Sequence, residues 1–242
     1  MERIVVIGAG GLAEYLTLVA DMNAAGAGLN LAGALDDDPA LAGGAVHGVP
    51  VLGPLALARE LPDCRFVFGI GSHRSLLRRK AILDGLGLGP ERFVSLVHPS
   101  ARLYAGARLG AGCVVHPYVV VFHEARIGDF VVVSPQCVIG GHCRLGQGAL
   151  LASAVNLTSG VVVGPYAHLG AGALVAEGVR IGAGAQVGLG AVVGADVAPG
   201  TLVLGNPARA LRRREVPADI LALDDAPGAA PDEAQGPAPE GA

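Results

Sequence analysis

Residues 121–146 read VFHEARIGDFVVVSPQCVIGGHCRLG, and an aliphatic residue returns at every sixth position of this stretch. The spacing continues on both sides, from Val97 to Val193, through seventeen aliphatic positions without an insertion. Glycine often follows the aliphatic residue, and the fifth position of the hexad is small or β-branched. A helix with 3.6 residues per turn cannot keep this period, so the pattern predicts short strands separated by tight corners.

Three hexads are enough to close one triangular coil, and residues eighteen positions apart then stack in columns. We expect the aliphatic and fifth-position side chains to point inward, and glycine and alanine to supply the backbone angles of the corners. Aromatic residues make up only 4% of the chain and glycine accounts for 38 of its 242 residues, which suits thin, regular layers. The fold class predicted for residues 97–208 is therefore mainly β, a parallel β-helix. A solenoid that acts only as a scaffold would show the same repeat.

Residues 1–96 show a different pattern, in which apolar runs alternate with segments of helical character. The predicted strands span residues 3–7, 31–35 and 65–70, and the predicted helices span residues 12–24 and 73–86. Alternating strands and helices predict a parallel α/β sheet, so this part is expected to form a small Rossmann-like domain.

A glycine-rich turn, Gly8-Ala9-Gly10-Gly11, follows the first strand and approximates a G-x-G-x-x-A fingerprint. Such a turn lets a helix N-terminus approach a phosphate or a nucleotide. An NAD site would also need an acidic residue about 20 positions further on, and Asp36 comes late for that role. NAD binding is therefore a less favoured alternative, and a tight turn without any ligand is another.

The last segment, residues 209–242, begins with a cluster of basic side chains. Arg209 and the three arginines at 212–214 are candidates for the phosphates of a cofactor, because arginine forks fit phosphate oxygens. A solvated run of charges explains them equally well. Residues 225–242 consist of Ala, Pro, Gly, Asp and Glu with one Gln, and we expect them to be disordered.

Charge and composition exclude several classes of function. The net charge of −4 gives no basic footprint for nucleic acid or for an anionic membrane. No apolar run reaches the roughly 18 residues of a membrane span, and no signal peptide is recognisable. None of the four cysteines forms a C-x-x-C pair, so a reduced, cytoplasmic protein is expected. His98 and His116 share a column but lack a third ligand, so no metal site is predicted.

The complete pattern resembles the hexapeptide-repeat acyltransferases. Within that group it is similar to the bacterial sialic-acid O-acetyltransferase family, which includes the nucleotide-aminosugar N-acetyltransferases. The resemblance covers about residues 3–210. It is carried by Ile7-Gly8-Ala9-Gly10-Gly11, Leu35-Asp36-Asp37, Gly69-Ile70-Gly71, His98-Pro99-Ser100-Ala101, His123-Glu124-Ala125-Arg126-Ile127-Gly128-Asp129-Phe130 and Gly205-Asn206-Pro207-Ala208-Arg209.

The resemblance implies a left-handed coil, an exception to the usual right-handed crossover rule. It implies a homotrimer in which acetyl-CoA lies in a groove between neighbouring subunits and the N-terminal domain holds a nucleotide sugar. A trimer also suits a solenoid with flat apolar faces. By resemblance, His123 is the general base and Glu124 supports it. The cofactor positions are Gly141, Gly170, Ala171 and Arg209, and the substrate positions are Gly8, Gly10, Gly11, Leu12, Asp36, Asp37, Gly71, Ser72, His116 and Val132.

The chemistry agrees with these assignments. An amine or hydroxyl that attacks a thioester must lose a proton, and imidazole, which titrates near pH 6.5 in peptides, suits that task. His123 stacks between Ala105 and Gly141, which predicts a slot for the thioester carbonyl. The backbone N–H at Gly141 is the candidate oxyanion donor, and Glu124 shares a column with His142, with which it could pair.

Three positions depart from the family pattern. Leu12-Ala13 stands where His-Gly is usual, Val132 where a histidine is common, and His116 where an asparagine is common. These changes predict altered recognition of the acceptor, which is then not the usual UDP-4-aminosugar but another nucleotide sugar, an amine or an alcohol. A non-catalytic trimeric module that binds a nucleotide or a metabolite is the alternative function.

Overall fold

The computed structural model describes residues 1–71 and 76–224, and stacked two-residue strands that recur every six residues occupy most of it. The strands form three parallel sheets, each a face of a triangular prism. The predicted fold class, a left-handed parallel β-helix preceded by a small Rossmann-like domain, is confirmed.

The strands of each face pair in register with the strands eighteen residues away. The first face contains Leu96–Val97, Val114–Val115, Val132–Val133, Leu150–Leu151, His168–Leu169, Gln186–Val187, Thr201–Leu204 and Arg209–Arg213. The second face contains Arg102–Leu103, Val120–Val121, Val138–Ile139, Asn156–Leu157, Leu174–Val175 and Val192–Val193. The third face contains Arg108–Leu109, Arg126–Ile127, Arg144–Leu145, Val162–Val163 and Arg180–Ile181.

The interior of the prism is filled by the aliphatic residues and by the fifth-position residues of the hexads, as predicted. From Cys113 to Val203 these two positions form one continuous buried cluster. Cysteine occurs there as a small hydrophobe: the Cys137 thiol donates to the Ala152 carbonyl at 3.0 Å, and burial raises its pKa to about 11. All four cysteines are free and buried.

The corners give the glycines a role that differs from the predicted one. The left-handed backbone angles fall on the fourth hexad position, where Tyr118, Glu124 and Phe130 adopt them as well as glycines. The glycines that directly follow the aliphatic residue have ordinary angles. A Cβ on Gly140, Gly146, Gly164, Gly170 or Gly182 would come within 2.5–2.8 Å of backbone atoms in the following coil. Close stacking of the coils is therefore what requires glycine at this position.

Replacing Gly146 with alanine is expected to lower the free energy of unfolding by about 1–3 kcal/mol, because its Cβ would lie 2.6 Å from the Pro165 nitrogen. The backbone of the next coil is held by the hydrogen bonds of the sheet, so moving it away from the new methyl group costs free energy. Urea denaturation measures the change. Gly194→Ala is the matched control, since its Cβ meets open space, and an equal loss of stability in both variants would contradict the explanation.

The N-terminal domain contains five strands, β1 Glu2–Ile7, β2 Leu29–Leu35, β3 Ala45–Val46, β4 Val49–Gly53 and β5 Arg65–Phe68. They form one sheet with the order β3-β4-β2-β1-β5. All pairings are parallel except the edge pairing of β3 with β4. The helices are α1 Leu12–Ala24 and α2 Arg78–Leu86, and 3₁₀ turns cover Pro39–Leu41, Leu55–Glu60 and Pro90–Arg92.

The predictions for this domain need several corrections, the smallest being that β1 and β2 begin at Glu2 and Leu29 instead of residues 3 and 31. Strands β3 and β4 were not predicted, because they are short and β4 contains Pro50 and Gly53. The third predicted strand ends at Phe68 instead of residue 70, and α2 begins at Arg78 instead of residue 73. Residues 72–75 lie outside the described part of the chain, while the predicted bounds of α1 are those observed.

A buried arginine joins the domain to the first face of the prism. Arg79 of α2 has no exposed surface, and it donates to the carbonyls of Ile70, Phe130 and Gly148 at 2.8, 3.1 and 2.5 Å. The guanidinium also lies 5.3 Å from the centre of the Phe68 ring. Burial lowers the pKa of Arg79 to about 10, so the group stays charged at neutral pH and binds the two units through charge-assisted hydrogen bonds.

The chain returns to the prism after its last coil. Strands Thr201–Leu204 and Arg209–Arg213 form an antiparallel pair, and a helix, α3, spans Ala218–Asp224. Its Ile220 is buried in a cluster that includes Leu76 and Tyr166. The helix was not predicted, and the segment 225–242, predicted to be disordered, lies outside the described residues. None of the helices in the described part is long and apolar enough to cross a membrane.

Candidate active site

The corner between the second and third faces, which we call the second corner, carries His123. The side chain is exposed, and its ring leans over Gly141 in the next coil. A Cβ on Gly141 would lie 2.9 Å from both Cε1 and Nε2 of the ring. An accessible imidazole therefore lies beside a position that has no side chain.

A second imidazole touches His123 edge-on. The rings of His123 and His142 have centroids 5.0 Å apart and an interplanar angle of 87°. The His142 amide also donates to the His123 carbonyl at 3.1 Å. These contacts limit the directions in which the His123 ring can turn.

Glu124 points away from both imidazoles. Its backbone is left-handed, with φ of 54°, and its carboxylate lies against Gly106 in the preceding coil. Within residues 1–71 and 76–224, no ion pair joins Glu124 to His123 or His142. The predicted pairing with His142 is thus not formed, because Gly106 leaves room for the carboxylate on the other side.

The backbone at Gly141 has a free donor. Its carbonyl accepts from the Gly160 amide at 2.9 Å, whereas its own N–H reaches no acceptor among the described residues. An amide without a protein partner, next to an exposed imidazole, can serve a developing oxyanion.

The other predicted cofactor positions lie elsewhere on the prism. Gly170 and Ala171 belong to the corner between the first and second faces, which we call the first corner. Gly170 is buried, and a Cβ there would lie 2.8 Å from the Leu189 nitrogen. Arg209 is exposed on the terminal strand pair. Within a single chain, neither corner supplies all the groups that were expected around acetyl-CoA.

The residues predicted to hold the substrate gather at the carboxyl edge of the five-stranded sheet. Gly8 has a φ of +95° and Gly10 is open to solvent, while the Gly11 carbonyl accepts the first amides of α1. The Asp36 carboxylate accepts a hydrogen bond from the Ala9 amide at 2.7 Å and so stabilises this turn. Asp37 is exposed and accepts from the Leu55 amide at 2.9 Å.

Other substrate positions lie where the domain contacts the prism. The Leu12 side chain is fully buried in the domain core, so only its backbone remains available to a ligand. Val132 packs against the domain on the first face. Gly71 is exposed, and a Cβ there would lie 3.8 Å from the Leu150 side chain. Ser72 lies outside the described residues.

His116 is 4% exposed and its Nε2 lies 3.2 Å from a carboxylate oxygen of Glu14 in α1. One coil earlier, His98 similarly pairs with Asp21 of α1 at 3.1 Å. Both histidines therefore fasten α1 to the first corner, and His116 faces the helix instead of an open pocket. The described residues contain no cluster of metal-ligating side chains.

The burial of His116 predicts a loss of stability in acid. Burial lowers the pKa of His116, Glu14 partly offsets the effect, and His98 adds to it. Below about pH 6.5 the His116 imidazole therefore binds a proton in the unfolded chain but less readily in the folded protein. The free energy of unfolding falls as the pH drops through that value. His116→Asn should flatten this decline by up to about 1.4 kcal/mol per pH unit.

Urea denaturation at about pH 7.5 and about pH 5.5 measures the effect. The exposed His142→Asn is the control and should decline as the wild type does. A His116→Asn variant with the slope of the wild type would contradict the explanation.

Sequence reasoning missed an aromatic pair beside His123. Tyr104 and Phe122 are exposed at the second corner, and their rings stack with centroids 5.2 Å apart. Their separation of eighteen residues places them in one column of the repeat, so the hexad period contained the signal. The contacts of Arg79 and Glu14, in contrast, depend on how the domain docks.

Comparison with known proteins gives matches to both parts of the chain. The family model described as the PglD N-terminal domain matches residues 3–84. The UDP-N-acetylbacillosamine N-acetyltransferase of Bacillus subtilis is 30% identical over 117 residues, which cover 48% of this chain and 51% of that protein. The matched segment thus spans about half the length of this curated relative.

Solved structures match nearly the whole described chain. A histidine mutant of perosamine N-acetyltransferase from Caulobacter crescentus, in complex with CoA and GDP-perosamine, is 34% identical with a TM-score of 0.75, covering 88% of this chain and 98% of that one. The acetyltransferase domain of PglB from Neisseria gonorrhoeae, in complex with acetyl coenzyme A, is 28% identical with a TM-score of 0.74, covering 87% of this chain and 99% of that one.

Proposed function

This chain belongs to the hexapeptide-repeat acyltransferase family that includes the nucleotide-aminosugar N-acetyltransferases, and we propose that it transfers an acetyl group from acetyl-CoA to the amine of a nucleotide-linked aminosugar. The family resemblance predicted from the sequence is confirmed, and the acetyltransferases among its relatives support the predicted class of reaction. The observation that carries the proposal is the exposed imidazole of His123 over the side-chain-free Gly141.

In the proposed reaction, His123 takes a proton from the acceptor amine while the amine nitrogen attacks the thioester carbonyl. A carbon–nitrogen bond forms, and the negative charge that develops on the carbonyl oxygen is received by the Gly141 N–H. The tetrahedral intermediate then collapses, the carbon–sulfur bond breaks, and the imidazolium returns its proton to the leaving thiolate of CoA. No covalent enzyme intermediate is required, because the thioester is already activated.

Glu124 is proposed to support this cycle through its negative charge. The residue follows His123 directly, and a turn of its side chain away from Gly106 would bring the carboxylate toward the imidazolium. Arg209 and the backbone at Gly170 and Ala171 are proposed as contacts of CoA. The glycine-rich turn with Asp36 and Asp37 is proposed to hold the nucleotide of the acceptor.

The outward residues of the three faces support a homotrimer. The first face is covered by the N-terminal domain and α3, and the third presents Arg108, Arg126, Arg144 and Arg180 besides Val162. The second face presents Val120, Val138, Leu174 and Val192 besides Arg102 and Asn156, and Leu174 is 44% exposed. A largely apolar face that no other part of the described chain covers fits contact with further copies in a closed assembly.

Turning the second face toward a threefold axis places the first corner of each copy beside the second corner of its neighbour. Gly170 and Ala171 of one copy would then line a groove with His123 and Gly141 of the next. This arrangement explains why the predicted positions lie on different corners of one chain. A cytoplasmic location is proposed as well, since all four cysteines are free thiols.

Thiol release from acetyl-CoA tests the function. The purified chain is incubated with acetyl-CoA and a panel of nucleotide-linked aminosugars that includes GDP-perosamine, and light scattering reports its oligomeric state. We expect acceptor-dependent release by a trimer. A binding module without catalysis would bind an acceptor but release no thiol with any of them, and that result would reject the proposed reaction.

A further inference from the structure

The aromatic residues of this chain fall into two unequal groups. The chain contains four tyrosines, five phenylalanines and no tryptophan. Six of the nine are buried, namely Tyr15, Phe66, Phe68, Phe93, Phe130 and Tyr166. Tyr104, Tyr118 and Phe122 are 46%, 66% and 38% exposed. Since this protein otherwise keeps its aromatic rings inside, the exposed ones indicate a surface that meets another molecule.

Two of these rings form one ordered surface. Tyr104 and Phe122 occupy equivalent positions of successive coils at the second corner, and their rings are nearly parallel, with an interplanar angle of 4°. The guanidinium carbon of Arg102 lies 5.6 Å from the centre of the Tyr104 ring. Stacking and the cation–π contact hold the rings upright, so that they form a flat apolar wall.

The wall formed by Tyr104 and Phe122 extends from His123 toward the preceding coil and not toward the following one. Phe122 immediately precedes His123, and the next coil places Gly140 and Gly141 above these two residues. On the side toward the C-terminus these two positions carry no side chain, and that side is assigned above to the thioester. The side toward the N-terminus carries Tyr104, where the attacking molecule must approach His123.

We propose that Tyr104 and Phe122 bind the sugar ring of the acceptor through its C–H face and thereby select aminosugars that present an apolar ring face to the enzyme. The electron-rich face of an aromatic ring attracts the weakly positive C–H groups of a sugar. Such a wall orients the amine toward His123 and discriminates against rings that turn hydroxyl groups to the same side. This inference rests on the proposed function, because it names the substrate contact of the same site.

The test compares steady-state constants for acetyl-CoA and for GDP-perosamine, or for the panel member with the highest turnover. Phe122→Ala and Tyr104→Ala are each expected to raise the acceptor KM by about tenfold. The acetyl-CoA KM should change by less than about twofold. Phe122→Tyr keeps the ring and should restore the acceptor KM. Arg144→Ala, on the third face, is the control for a change at an exposed position of the prism.

Calorimetric titration of GDP-perosamine into CoA-saturated protein separates this inference from the reaction itself. If the wild type turns over and both alanine variants keep the acceptor KM, the wall is rejected and the proposed function stands. If no thiol is released from acetyl-CoA with any acceptor, the proposed function fails. The titration then tests on its own whether the wall binds the acceptor. Affinity about tenfold weaker in Phe122→Ala supports it, whereas equal affinities, or no binding to the wild type, reject it.

Discussion

Replacing His123 with alanine is expected to lower kcat by about 10²–10⁴-fold, the contribution typical of a positioned general base. The side chain is exposed at a corner, so its removal should leave the fold and the melting temperature unchanged. The KM for acetyl-CoA should change little, because the proposed donor contacts are made by Arg209 and by the backbone of Gly141, Gly170 and Ala171. Thiol release under saturating acceptor measures the effect.

His142 provides a matched control for this prediction. Its ring touches that of His123 at 5.0 Å, but only His123 leans over Gly141. His142→Ala should therefore reduce kcat by less than about tenfold. Comparable losses in the two variants, or a His123→Ala enzyme that keeps most of its activity, would contradict the assignment of the base.

Replacing Gly141 with alanine is expected to lower kcat by about 10²-fold, because small displacements of a catalytic group carry large penalties. The new methyl group would lie 2.9 Å from Cε1 and Nε2 of His123, so the imidazole has to move. The methyl group would also enter the slot proposed for the thioester carbonyl, which should raise the KM for acetyl-CoA.

The stability of Gly141→Ala should change by less than about 1 kcal/mol. Its nearest neighbours are atoms of an exposed ring that can turn aside, unlike the backbone neighbours of Gly146. Gly85→Ala in α2 is the control, because a methyl group there meets open space. A Gly141→Ala enzyme with the kinetic constants of the wild type would show that the slot is not used.

The period of six determined much of what could be predicted. It assigns each residue to a face, a corner or the interior, and from this the column of Ala105, His123 and Gly141 followed directly. The same rule would have revealed the stack of Tyr104 and Phe122, since it uses only a separation of eighteen residues. Within the prism, local spacing and tertiary position are nearly equivalent, because each coil contacts only its neighbours.

The remaining features depend on contacts that spacing does not encode. The side-chain direction of Glu124 follows from the left-handed turn and the room beside Gly106. The burial of His116 and Leu12 follows from the docking of α1, which joins residues far apart in the sequence. The same holds for Arg79, whose three carbonyl partners include two residues of the prism. No periodic pattern marks these residues beforehand.

A crystal structure with bound acetyl-CoA tests the central claim most directly, namely that the second corner holds the thioester. We predict the carbonyl oxygen within hydrogen-bond distance of the Gly141 N–H, and the carbonyl carbon beside the His123 ring, in a groove completed by the first corner of another copy. A donor bound at a different corner, or an imidazole turned away from the thioester, would contradict the proposed mechanism.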